Sequence, residues 1–134
     1  MCANFKPLTL KQLQDFNLPE IPFEYSEEVY PGYDLPLLFK SAQGPEWRKV
    51  MFGLVPKWAE DKTIASKTYN ARNETLFQKP TFNNALTKYK FGVIPVTEFY
   101  ESKYFDHKAQ RWGVRRKDGQ AVFIAALYEI CKIG

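Results

Sequence analysis

The sequence predicts an α+β fold built on a curved, largely antiparallel β-sheet with short flanking helices. Three observations lead there. Most apolar residues fall in short runs rich in β-branched and aromatic side chains, at 35–40, 47–55, 91–105, 111–116 and 120–127, as strands require. Turn-forming stretches separate those runs, Ser41-Ala42-Gln43-Gly44-Pro45 and Asp118-Gly119 among them. Helical signals are confined to two short segments, so the sheet dominates.

Taken in order, Thr9-Leu10-Lys11-Gln12 has the form of a capping box opening a short helix. Leu10, Leu13 and Phe16 fall on one face of that helix, and Pro19 lies beyond its end. Prolines 19, 22, 31 and 36, with Gly32, predict an irregular segment over 18–36. Residues 35–40 and 47–55 form two strands across the 41–45 turn. Residues 56–69 are polar and predict a loop, and 74–88 predict helix with a break at Pro80. Residues 91–105 predict strand, bend, strand. Runs 111–116 and 120–127 flank Asp118-Gly119 as the arms of a hairpin. The continuous apolar run 122–127 suits a fully buried strand, with a short buried helix as the alternative.

At 134 residues the chain suits one domain, 1–134, with a real core. Its net charge of +4 permits a polyanion partner without demanding one. Two cysteines, Cys2 and Cys131, are too few for a disulfide framework and point to reduced thiols. Two Cys and one His (His107) cannot complete a four-ligand zinc site, so neither metal nor other cofactor is expected. No apolar run is long enough for a bilayer, and no basic-then-apolar leader opens the chain. The expectation is a soluble, cytoplasmic, monomeric protein without a membrane partner.

Four stretches carry chemistry. Met1-Cys2 is the first: removal of the initiator would leave an N-terminal cysteine with amine and thiol on adjacent carbons. With ordinary pKa values of about 8 and 8.5, both are accessible as nucleophiles near neutrality. Such a pair captures an aldehyde as an imine and closes a thiazolidine, although Cys at position 2 also occurs by chance. In Gly53-Leu54-Val55-Pro56-Lys57-Trp58-Ala59, a strand runs into a loop where Trp58 beside Lys57 could stack on a base, or simply cover the end of the sheet. In Asn70-Ala71-Arg72-Asn73-Glu74-Thr75, Asn70 offers both donor and acceptor and Arg72 a fork suited to phosphate. Read alone, this stretch fits an ordinary loop-to-helix transition. In the fourth stretch, 95–102, the two-residue period puts Glu101 on the face of Phe99 and Phe105. A carboxylate among aromatics suits general acid–base work, whereas a bulge at the bend would turn it outward as a solvated surface acid.

In this order, and with the strand over 122–129, these stretches resemble the SRAP (SOS-response-associated peptidase) family. The resemblance covers nearly the whole chain and implies an open-barrel-like SRAP fold. It also implies a DNA-repair protein whose mature N-terminal Cys2 crosslinks to the ring-opened aldehyde of an abasic site in single-stranded DNA. On that resemblance Cys2 is the nucleophile, Asn70 orients the deoxyribose or the α-amine, and Glu101 shuttles protons. Arg72 and Lys57 meet phosphate, and Trp58 stacks beside the lesion. Peptidase (hydrolase) activity, as autoproteolytic removal of what precedes the Cys, and a lyase step belong to the same implication. The departures are specific. Ala3 and Asn4 stand where the family has Gly and Arg, which removes one phosphate contact. Glu98 and Ser102 replace the Gly and Trp flanking Phe-Tyr-Glu. The family's later Ile-His and Arg-Met-Pro motif has no counterpart before Gly134, so the chain lacks the family's C-terminal portion, and slower crosslinking with weak lyase activity is expected. Two alternatives stay open: a non-catalytic relative that binds single-stranded DNA, and an N-terminal-nucleophile cysteine peptidase or amidohydrolase.

Overall fold

The computed structural model describes residues 3–131. Its elements are β1 (Asn4–Pro7), α1 (Leu10–Asp15), β2 (Asp34–Ser41), β3 (Gly44–Met51), α2 (Pro80–Thr87), β4 (Phe91–Phe105), β5 (Lys108–Val114) and β6 (Val122–Leu127). Short 3-10 turns occupy Thr63–Lys67 and Leu76–Gln78. The described strands form one six-stranded antiparallel sheet ordered β1-β4-β2-β3, with β5 and β6 also paired to β4. The α+β expectation therefore holds.

Strand β4 organises the sheet along both of its edges. On one edge, Asn4 lies opposite Tyr100 and Leu38 opposite Val93. On the other, Val122 to Leu127 pair with Val96 back to Phe91, and Lys108 to Val114 pair with Phe105 back to Phe99. The predicted hairpin between 111–116 and 120–127 is thus not formed. The Asp118-Gly119 turn exists, with Gly119 at φ +73°, but it carries the chain off the edge of β4 and back onto it. β5 and β6 lie end to end because one 15-residue strand offers more edge than either can fill. The true hairpin is β4–β5, closed by Asp106 and His107 at φ +48° and +64°. Left-handed conformation at both central residues matches the twist of the strands.

Residues 91–105 are one strand carrying a bulge rather than two strands about a bend. Lys6 pairs with Glu98 but Pro7 with Val96, so Thr97 is the extra residue. A single inserted residue reverses the side-chain alternation. Ile94 and Val96 precede the bulge, and Phe99 and Glu101 follow it on the same face. Without Thr97, Glu98 and Tyr100 would take their place. Thr97 is itself anchored, its hydroxyl donating to Gln12 Oε1 at 2.7 Å.

The main core lies on that face: Phe5, Val29, Leu35, Leu37, Phe52, Ile94 and Val96, with Phe99, Tyr69 and Ile124 against it. Full burial of each large side chain contributes about 1.5–3 kcal/mol. The opposite face is covered by α1, where Leu8, Leu13 and Ala121 are buried beside Phe16 and Trp47. The capping box predicted at Thr9 is present, Gln12 N–H donating to Thr9 Oγ1 and Thr9 N–H to Gln12 Oε1. The predicted apolar face is only partly buried, for Leu10 is 56% exposed. The β6 run is likewise half covered rather than fully buried, with Phe123 52% exposed. Its side chains alternate, Val122, Ile124 and Ala126 packing on the core while Phe123 and Ala125 face away.

Gln12 therefore serves two structures through one carbonyl oxygen, the cap of α1 and the bulge of β4. Gln12→Ala is expected to lower stability by about 1–2 kcal/mol, more than a cap alone, because Thr97 loses its acceptor too. Gln12→Glu keeps the acceptor and should recover most of the loss in urea denaturation.

Candidate functional site

A cavity of about 620 Å³ opens on the core face, between the end of β3, the 53–71 loop and β6. Phe5, Phe52 and Tyr69 form its inner wall as a chain of edge-to-face rings, with centroids 5.2 and 5.8 Å apart. Asn70, Glu129 and Cys131 supply polar atoms, and the exposed cations Arg48 and Lys62 stand at its margin.

Asn70 reaches this wall because the loop is stitched shut behind it. Leu54 N–H donates to the Thr68 carbonyl at 3.2 Å, and the Thr68 hydroxyl returns a bond to the Leu54 carbonyl at 2.6 Å. The close approach needs glycine at position 53. Its φ is +118°, and a Cβ there would collide with the Ala65 carbonyl and come within 2.8 Å of the Ala65 Cβ. Thus Gly53 and Thr68 place Asn70 two residues on. Its Nδ2 is buried without a hydrogen-bond partner, which costs about 1–3 kcal/mol unless something else accepts from it. An unpaired amide donor on a cavity wall is suited to a ligand oxygen.

None of the other expected residues among those described lines this cavity. Trp58 (61% exposed) and Lys57 lie in the loop just past Val55, which lines it, and Arg72 is exposed two residues beyond Asn70. Glu101 is partly buried, opposite Trp112 on β5. It does not line the cavity but shares the sheet face of Phe99, whose partner Phe5 does. The bulge that was considered as turning Glu101 outward sits at Thr97 and does the reverse. Cys2 lies outside the described residues.

Near the start of β1 a cation has appeared that the sequence did not announce. Arg111 Nη2 donates to Asn4 Oδ1 at 2.5 Å and pairs with Glu28 at 2.6 Å, its guanidinium 3.6 Å from the Tyr100 ring centroid. Asn4, buried, also donates to the Val29 carbonyl. So position 4 carries no charge, but a guanidinium from β5 stands beside it. With partners 107 residues apart, no local signal could have revealed the contact.

Two further polar groups of the cavity were missed. Cys131, partly buried, directs its thiol to the Pro56 carbonyl at 3.7 Å, a weak contact. Glu129 accepts from Lys90 Nζ at 2.5 Å and from Asn84 Nδ2 at 2.6 Å, fastening α2 to the end of β6. Burial would raise the Glu129 carboxyl, but bonds from Lys90 and Asn84 outweigh it and hold it below the ordinary glutamate value. Among the described residues no three His, Cys, Asp or Glu converge as metal ligands. No described helix is long and apolar enough to cross a membrane.

A depressed carboxyl stabilises the fold above its unfolded pKa of about 4.3, and that contribution fades as pH falls through the lower folded value. Wild-type stability in urea should therefore drop below about pH 4. Glu129→Gln should lack that step and be weaker at pH 7 by roughly 3 kcal/mol, since Lys90 loses its counter-ion.

A family model described as SOS response associated peptidase (SRAP) matches residues 1–133. The abasic site processing protein YoqW of Bacillus subtilis is 34% identical over 122 residues, covering 87% of this chain and 54% of that one. YobE of the same organism, also named an abasic site processing protein, is 33% identical over 122 residues, covering 87% and 55%. The chain spans about half the length of these curated relatives. A crystal structure from Bordetella bronchiseptica superposes with a TM-score of 0.82 at 26% identity, covering 94% of this chain and 63% of that one. One from Bacteroides thetaiotaomicron gives 0.77 at 19% identity, covering 98% and 62%, a likeness of fold.

Proposed function

The chain belongs to the SOS response associated peptidase family, and from that premise we propose that it captures abasic sites in single-stranded DNA through the amine and thiol of a mature N-terminal Cys2. The observation that carries the proposal is the partnerless Asn70 amide on the wall of an aromatic-lined cavity, in a chain whose second residue is cysteine. The names of the Bacillus relatives supply the lesion.

The chemistry follows from the groups. Cys2 is joined to Asn4 by two peptide units, about 7 Å of chain at most, and Asn4 pairs with Tyr100 beside Glu101. The α-amine adds to C1′ of the ring-opened sugar, water leaves, and an imine remains. The thiolate then adds to the imine carbon, the nitrogen takes a proton, and a five-membered thiazolidine closes with net loss of one water. Glu101 moves the protons of ring opening and dehydration, and Asn70 Nδ2 donates to a sugar oxygen. An intact nucleotide presents no such carbonyl, so selectivity lies in the reaction as well as in the fit. Arg72, Lys57 and Trp58 hold the flanking strand. The sole histidine, His107, is committed to the β4–β5 turn, so capture rather than lyase release is the activity expected of these residues. The reading takes residues 1–134 as one domain acting as a monomer.

The decisive experiment pairs intact mass with a denaturing gel. Protein lacking Met1, incubated with a uracil-containing single strand treated with a glycosylase, should give a covalent band. Cys2→Ala should abolish it. Asn70→Ala and Glu101→Gln should slow it roughly 100- to 1000-fold, the usual range for a lost hydrogen-bond donor or proton-transfer group. A Met1-free protein that binds the strand but never crosslinks would sink the proposal in favour of a binding-only relative. Turnover of an amide without DNA would favour the hydrolase reading.

A further inference from the structure

The β4–β5 hairpin beyond Glu101 has no part in the capture chemistry, yet it carries the chain's positive charge. Residues 102–117 hold six Lys and Arg against Asp106, a net +5, so the other 118 residues together carry −1 of the overall +4. We propose that this hairpin is a second contact surface for single-stranded DNA, on which Trp112 and Phe105 stack against bases flanking the lesion while the neighbouring cations meet phosphates. The proposal deepens the reading above and rests on it only for the lesion that the strand carries.

Register gives the surface its composition. Directly paired residues of antiparallel strands share a face, so Glu101, Lys103 and Phe105 stand with Lys108, Gln110 and Trp112. Every residue of β5 is exposed, Trp112 and Phe105 to 46% and 49%. Phe105 and Trp112 lie 6.5 Å apart at 34°, and Lys103 Nζ stands 5.0 Å from the indole centroid. Two tilted rings, the indole with an ammonium against it, form a platform that any base can cover, because stacking needs only a π-face. The two-residue turn keeps the strands paired to the tip, so the platform is held by the ladder rather than by a loop. Arg111 and Arg116 already face Glu28 and Asp118, so Lys108, Arg115 and Lys117 are the cations offered to phosphate. A duplex satisfies the charge but hides its base faces, which is why the occupant is single-stranded. The face is continuous with Glu101, where the strand would already be held.

The test uses the full chain and an undamaged, labelled oligothymidylate, so Cys2 chemistry plays no part. Trp112→Ala and Phe105→Ala should each weaken binding at least about five-fold with unchanged Tm, and Trp112→Phe should restore most of it. Lys108→Ala should lower the slope of log affinity against log salt by about 0.7. A matching duplex should show the Lys108 effect but not the Trp112 effect. Undiminished single-strand binding by both aromatic variants would overturn the proposal, as would an equal loss on the duplex. If Trp112→Ala leaves the strand's affinity untouched while Cys2-dependent crosslinking proceeds, the hairpin falls and the capture reading stands. If crosslinking never occurs but the aromatic variants still weaken binding, the reverse holds.

Discussion

One inserted residue in β4 decides which side chains face the core. Thr97 breaks the alternation between Val96 and Phe99, and the packing on both faces depends on the shift. On the inner side it continues the row Ile94, Val96, Phe99 against Phe5 and carries that row on to Glu101. On the outer side it leaves Tyr100 to lie beneath Arg111 and beside Asn4. The bulge is held open from outside by the helix cap, since Gln12 Oε1 accepts from Thr97 and from the Thr9 amide together. Local capping and sheet phase are therefore coupled through one side-chain carbonyl.

The cavity depends on a second constraint, the return of the 53–71 loop onto its own start. Strand β3 ends at Met51, and without the paired bonds between Leu54 and Thr68 the next 20 residues would have no reason to bring Asn70 back to the same wall. Gly53 allows the backbones to meet, and the Glu129–Lys90–Asn84 group fixes the far wall by tying β6 to α2. The amide of Asn70 is thus held on a rigid frame, which lowers the cost of ordering a ligand against it.

Features encoded within a few residues were legible in the sequence. The Thr9 capping box, the β2–β3 turn at Ala42-Gln43 and the break before Pro80 each declare themselves over five residues or fewer. Asn70, Trp58 and Arg72 stood out in the sequence as candidates because their neighbours form ordered motifs. What was not legible involves partners far apart in the chain. The Asp118-Gly119 turn has the composition of a hairpin, but β4 offers both following strands a better edge than they offer each other. Thr97 is an extra residue only relative to β1, some ninety positions earlier. The Arg111–Asn4 and Lys90–Glu129 pairs are equally non-local.

Strand β5 is paired on one side only among the described residues, so its outer edge presents backbone donors and acceptors to solvent. A bare edge of seven exposed residues invites a second molecule to extend the sheet. The hairpin of which it is an edge carries a net +5 over residues 102–117, so two copies approaching along that edge would meet like charge. That protection is ionic and weakens as salt shortens the screening length. Edge-to-edge growth would thus meet its highest electrostatic barrier in dilute buffer and a lower one in concentrated salt.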